Sequence, residues 1–183
     1  MLYFTVDPEV QGPHHIMNFI QQYNAQRPQD LETALNHPIK IERNCMPQPP
    51  QGSALMPPML AEDQGIPMNI DEACLVRSTP LSSCAMVIAF EENILNRDYV
   101  YVYHAGGGEI KEGDWFLSEV PDLQTKIIVY AVRQYKEPDG NPSTYDEHIK
   151  TLLTKCKPNN LCIVDCGEKT NEIWVDNTGG IRF

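Results

Sequence analysis

The clearest signal along the chain is a set of short apolar runs bounded by turn residues, which is the pattern of strands. Leu2 to Val6 opens the series and is ended by Asp7-Pro8. Ile39-Lys40-Ile41-Glu42 alternates, and Ala73-Cys74-Leu75-Val76 leads into a central pair of strands, Ser82 to Phe90 and Asp98 to His104. Thr125 to Tyr135 is the most apolar strand of the C-terminal half, and Leu161 to Asp165 with Glu172 to Asp176 predicts a hairpin. Ile181-Arg182-Phe183 reads as a terminal extension. Helical periodicity is rarer. Pro13-His14-His15 opens an amphipathic helix with Ile16, Phe19, Ile20 and Tyr23 on one side, and Asp30 caps a short helical turn over Leu31 to Leu35. Ser143 or Thr144 caps a helix to about Cys156, with Glu147 as capping-box partner. Strands predominate and short connections favour antiparallel pairing. The expected fold is α+β, a mostly antiparallel curved sheet or β-sandwich flanked by a few helices, in one catalytic domain over residues 1–183.

Composition changes abruptly between Met46 and Met68, where Met46-Pro47-Gln48-Pro49-Pro50 and Met56-Pro57-Pro58-Met59 are hostile to helix and central strand. The segment is read as a long Pro/Met-rich loop whose four methionines can pack against a core or a partner. The net charge of −11 leaves no basic face to release counterions, which argues against nucleic-acid binding. No run approaches the roughly 18 apolar residues of a membrane span. The N-terminal segment lacks the pattern of a secretory signal, so export would need a non-classical route or a longer polypeptide. Six cysteines follow no tight disulfide framework. Cys162 and Cys166 read as buried small hydrophobes, and no metal or cofactor is called for. The His14-His15 pair lacks acidic or cysteine partners nearby.

The candidate chemistry lies in Ser78-Thr79-Pro80-Leu81-Ser82-Ser83-Cys84, which feeds a cysteine into the head of one apolar run. The next run delivers His104 into Ala105-Gly106-Gly107-Gly108. If the two runs pair antiparallel, the end of the second meets the start of the first, as a Cys–His nucleophile pair requires. Turn residues before Cys84 leave backbone N–H groups, that of Cys84 included, for an oxyanion hole. The glycines let a substrate backbone approach, so Ser83, Gly106 and Gly107 are the candidate substrate-binding residues. Thr79 is the first candidate to orient His104, then a backbone carbonyl, with Glu109 or Asp114 behind.

The wording Leu81-Ser82-Ser83-Cys84-Ala85-Met86-Val87-Ile88-Ala89, followed by Tyr103-His104-Ala105-Gly106, resembles the catalytic segment of the cytotoxic necrotizing factor deamidases. Related bacterial toxins and the chemotaxis receptor glutamine deamidase belong to the same broad group. The match covers about residues 76–108, and Ser83 stands where that pattern has glycine. The resemblance implies a central β-sandwich flanked by helices and metal-free hydrolysis of a protein glutamine side chain to glutamate and ammonia. It assigns Cys84 as nucleophile, His104 as base and then acid, and Thr79 near the threonine some members use. It also implies a toxin or effector delivered to a host cell, otherwise a cytoplasmic protein, with transglutamination when an amine replaces water. Three other readings stand beside it. A papain-like protease would need Cys84 to open a helix. An ADP-ribosyltransferase, prompted by Arg77-Ser78-Thr79, lacks its Glu-x-Glu. A noncatalytic interaction module would use the Pro/Met-rich loop and leave Cys84 inert, and a low thiol pKa at Cys84 would separate the enzyme readings from it.

Overall fold

The computed structural model describes residues 1–7, 9, 20, 28, 30–41, 44–45, 57–72, 74–136, 143 and 145–183. The expected helix from Pro13 therefore lies outside them apart from Ile20, as do His14, His15 and residues 46–56 of the Pro/Met-rich segment. Among the described residues the strands are β1 (Leu2–Val6), β2 (Ile39–Ile41), β3 (Asn44–Cys45), β4 (Met59–Leu60), β5 (Gln64–Asn69) and β6 (Leu75–Ser78). They continue with β7 (Ala85–Glu91), β8 (Tyr99–Ala105), β9 (Lys126–Val132), β10 (Leu161–Asp165), β11 (Trp174–Asp176) and β12 (Ile181–Arg182). The helices are α1 (Leu31–Asn36), α2 (Trp115–Glu119) and α3 (Tyr145–Leu153). The class is α+β and sheet-dominated, as expected.

The strands form a seven-stranded sheet, β2-β1-β10-β9-β7-β8-β5, and a five-stranded sheet, β3-β12-β11-β6-β4. Alternate residues of β7 divide between two cores, as period-two strands must. Met86, Ile88 and Phe90 pack with Val76, Val175 and Ile181 of the smaller sheet, forming the sandwich core. Ala85, Val87 and Ala89 pack on the other face with Ala34 of α1, Phe116 of α2, and Ile149 and Leu152 of α3. The molecule thus has three layers: small sheet, large sheet, helices.

Both sheets are mixed. β7 and β8 pair antiparallel, as do β8 and β5, whereas β2, β1, β10 and β9 run parallel. The parallel half follows from helical crossovers: α1 separates β1 from β2, and α3 separates β9 from β10, and such connections return the chain in the same direction. The expected hairpin between 161–165 and 172–176 is not formed. Both edges of β10 are taken by β1 and β9, so the chain crosses to the other sheet and β11 pairs with β6. The true hairpin is β11–β12, which turns the expected terminal extension into a strand. The Pro/Met-rich segment is likewise not one loop, since β4 and β5 lie within or at the end of 46–68. Pro67 is accommodated because β5 is an edge strand, with no ladder on its outer side among the described residues. Ser143 caps α3 through its Oγ, which accepts from the Tyr145 N–H at 3.1 Å, whereas Glu147 turns to Lys150. Cys162 and Cys166 are fully buried in the sandwich core.

Gly65 on β5 leaves room for the Trp115 ring, whose Cε3 would lie 1.9 Å from an added Cβ. That ring in turn stacks on Tyr103. Gly65→Ala is expected to lower stability by about 1–3 kcal/mol, the usual cost of overpacking. Urea denaturation compared with wild type measures it.

Candidate active site

Topology alone brings the site together. β4 and β6 are parallel neighbours in the small sheet, with Leu60 opposite Ser78, and both chains leave that edge for the large sheet. One enters β5 and the other β7, and β8 lies between them, antiparallel to each. The end of β8 therefore meets the starts of both. Three connections converge there: 61–63, 79–84 and the glycine run 106–108.

Local chemistry explains the second connection. Ser78 closes β6 by bonding Ile173 twice, donating its N–H to the Ile173 carbonyl at 2.9 Å and accepting the Ile173 N–H on Oγ at 3.0 Å. Pro80 supplies no N–H to continue a ladder. Leu81 is buried and its N–H bonds the Asn171 carbonyl at 2.7 Å, while Ser82 and Ser83 are exposed to solvent. Cys84 then enters the sandwich just before β7 begins. Positive φ outside glycine is confined, among the described residues, to Asp63 and Asp122. Ser83 thus stands in for the glycine of the resembled pattern with an ordinary backbone. Cys84 heads a strand, which a papain-like arrangement does not match.

Met86 is opposite His104 in the β7–β8 ladder, so Cys84 and His104 are diagonal neighbours on the sandwich face. His104 is fully buried. Its Nδ1 lies 3.0 Å from the Leu60 carbonyl oxygen and 3.3 Å from Thr79 Oγ1. A carbonyl only accepts, so Nδ1 carries the proton and Nε2 holds the lone pair. Nε2 is buried without a hydrogen-bond partner among the described residues. The Thr79 N–H bonds the same Leu60 carbonyl at 3.1 Å, so the two expected orienting groups, threonine and backbone carbonyl, act together. Glu109 and Asp114 are engaged elsewhere, by the Lys111 ammonium and the Lys111 N–H respectively.

The Cys84 thiol donates to Glu62 Oε1 at 3.3 Å. Burial pushes the thiol pKa up; the bond to Glu62 and the charges of Glu62 and Asp63 push the same way, and the Gly107 N–H bonded to the sulfur pulls it back. The thiol directs its S–H to Glu62 and is not the activated thiolate expected of a Cys–His pair, because burial first and the carboxylate partner second disfavour the charged sulfur. Alkylation of Cys84 by iodoacetamide should accordingly keep rising with pH beyond the ordinary thiol range near about 8.5. A rate that levels off below that range would contradict the geometry.

The three candidate substrate-binding residues differ in what they offer. The Gly106 N–H is already held by Asp63 Oδ1 at 3.1 Å, and Ser83 is exposed to solvent. Gly107, at φ 61°, turns its N–H toward the sulfur, and a Cβ there would meet nothing within 4 Å. Gly108 is anchored from behind, its carbonyl accepting the Tyr130 hydroxyl at 2.6 Å.

Sequence reasoning missed Glu62 and Asp63. Asp63, at φ 61°, donates its N–H to the His104 carbonyl at 2.7 Å, and so pins the 61–63 turn over the end of β8. One signal was present: Glu62 and Asp63 are the only charged residues between Met46 and Met68. Among the described residues no group of His, Cys, Asp and Glu could hold a metal ion, and no helix is long and apolar enough to cross a membrane. No protein-family model matches the chain, and no curated protein matches it.

Proposed function

We propose that the protein is a cysteine-dependent amidohydrolase that deamidates glutamine side chains of a protein substrate. The observation that carries this reading is the buried His104, fixed through Nδ1 by Leu60 and Thr79, with Nε2 lacking a partner among the described residues on the face that Cys84 shares. Nε2 in this tautomer is a base awaiting a proton. The resemblance of the Leu81–Ala89 and Tyr103–Gly106 segments to glutamine deamidases supports the choice of amide, and with it a toxin or effector role against a host protein.

In the proposed reaction the Cys84 thiol proton passes to His104 Nε2 and the sulfur attacks the carboxamide carbon. Backbone N–H groups at the sulfur, Gly107 foremost, stabilise the developing oxyanion. The C–N bond breaks as His104 returns the proton to the leaving ammonia, and a thioester remains. Water, deprotonated by His104, hydrolyses it to glutamate and free thiol. An amine in place of water would give transglutamination. The chemistry requires no group beyond these side chains, backbone donors and water.

A second reading is favoured by the setting of Cys84, which is 1% exposed with its thiol bonded to Glu62, as in a noncatalytic interaction module. Ammonia release and glutamine-to-glutamate mass shifts in unfolded casein, with Cys84→Ser as control, decide between them. Release that depends on Cys84 supports the deamidase. No release, together with a Cys84 that resists alkylation even above its raised titration range, supports the module.

A further inference from the structure

We propose that Glu62 occupies the acyl position of Cys84 as an internal product, so that the resting protein is self-occluded and a substrate glutamine enters along the path its side chain now takes. The inference rests on the deamidase reading and adds the regulation of that site. The product of glutamine deamidation is a glutamate side chain against the cysteine sulfur. Glu62 provides that group, with Oε1 3.3 Å from Sγ. Glutamate and glutamine share the same carbon skeleton, so what fits one in reach and shape fits the other.

A second observation agrees. His104 Nε2 is fully buried and has no hydrogen-bond partner among the described residues, although a cysteine thiol lies on its own face. A thiol has one proton to donate, and here it is directed at Glu62 Oε1. Occupancy by the carboxylate thus accounts for both the protonated thiol and the idle imidazole.

The turn that carries Glu62 is braced on both sides. Asp63 is tied to His104 and Gly106 through the bonds described above, and accepts the Tyr103 hydroxyl at 3.4 Å. On the other side Ala61 exchanges bonds with Gln64, whose N–H and Oε1 meet the Ala61 carbonyl and N–H. The Glu62 residue itself is exposed. Release therefore needs a rotation of the Glu62 side chain and leaves the backbone of the turn in place. It also defines the incoming group: a glutamine reaching inward from the solvent side of the 61–63 turn, past Gly107.

Glu62→Gln converts the internal product into an internal substrate. Sγ bonds to the introduced carboxamide carbon, ammonia leaves with the proton carried by His104, and water cleaves the thioester. The variant regenerates Glu62 with a gain of about one dalton, in a reaction that consumes water and releases ammonia. The experiment compares wild type, Glu62→Ala, Glu62→Gln and Glu62→Gln with Cys84→Ser. Intact and peptide mass spectrometry follow position 62, iodoacetamide labelling follows Cys84, and ammonia release follows casein. Labelling of Cys84 is expected to be about tenfold faster in Glu62→Ala, because the carboxylate no longer covers the thiol or holds its proton. Conversion of the introduced amide that requires Cys84 supports the occupancy and the deamidase together. Unchanged labelling in Glu62→Ala overturns the occupancy, and casein deamidation in the same preparation would then keep the deamidase. Faster labelling with the introduced amide intact and casein untouched supports the occupancy and removes the deamidase.

Discussion

Replacing His104 by alanine is expected to lower the rate of the proposed glutamine deamidation by about 10²–10⁴-fold, the range for loss of a positioned acid–base group. The side chain lies in the sandwich core with Nδ1 committed to the Leu60 carbonyl, which leaves Nε2 as its basic nitrogen on the face that Cys84 shares. His104→Gln is the instructive companion, since its amide can donate to Leu60 while supplying no basic nitrogen. If it is as inactive as His104→Ala but better folded, the loss is chemical. Thr79→Val tests positioning separately, because it removes Oγ1 and leaves the Leu60 contact. A smaller fall in kcat with KM retained is expected. Full activity in His104→Ala, measured as ammonia release, would exclude the histidine from the chemistry.

The second large effect is expected at Gly108. At φ 71° an alanine there meets the left-handed strain of an L-residue, and its Cβ would lie 2.5 Å from Tyr145 Cε1 and 2.8 Å from Tyr130 Oη. Both rings belong to the core beneath the helices, and the Tyr130 hydroxyl is bonded to the Gly108 carbonyl. Gly108→Ala should cost about 1–3 kcal/mol from overpacking, with the backbone strain in addition. It should also displace the Gly107 N–H from Cys84 Sγ, lowering activity about 10²–10³-fold as for loss of an oxyanion donor. Gly107→Ala separates the two contributions. It carries the left-handed backbone at φ 61° with open space around its Cβ, so the expected cost is only about 1–2 kcal/mol. Equal destabilisation of the two variants in urea would mean that the Tyr130–Tyr145 wall yields.

The sequence carried the site's local grammar well. A turn rich in hydroxyl residues ahead of Cys84, and a strand that ends in His104 and glycines, are short-range patterns. Antiparallel pairing of two adjacent apolar runs then leaves little choice of register, because a slip of one residue would turn Met86, Ile88 and Phe90 away from the sandwich core. Thr79 was legible for the same reason, lying five residues before the cysteine on the same connection.

The rest depended on contacts between elements far apart in the chain. Proline and methionine around 46–68 speak against a central strand, but only the sheet order reveals that β5 is an edge where Pro67 is harmless. The same order puts the 61–63 turn over the site, a position that the lone charged pair Glu62-Asp63 between Met46 and Met68 marks in the sequence but does not locate in space. The parallel half of the large sheet was hidden because pairing between β1 and β10 joins opposite ends of the chain. Local propensity and period two determined the main apolar strands, which of their residues face inward and where the candidate Cys–His pair lies in the sequence. Tertiary structure alone decided which strands are neighbours, and therefore that the Cys84 S–H points to Glu62 while His104 Nε2 stays idle. Strand periodicity is written in neighbouring residues, whereas a hydrogen bond across 22 residues depends on where two sheets happen to close.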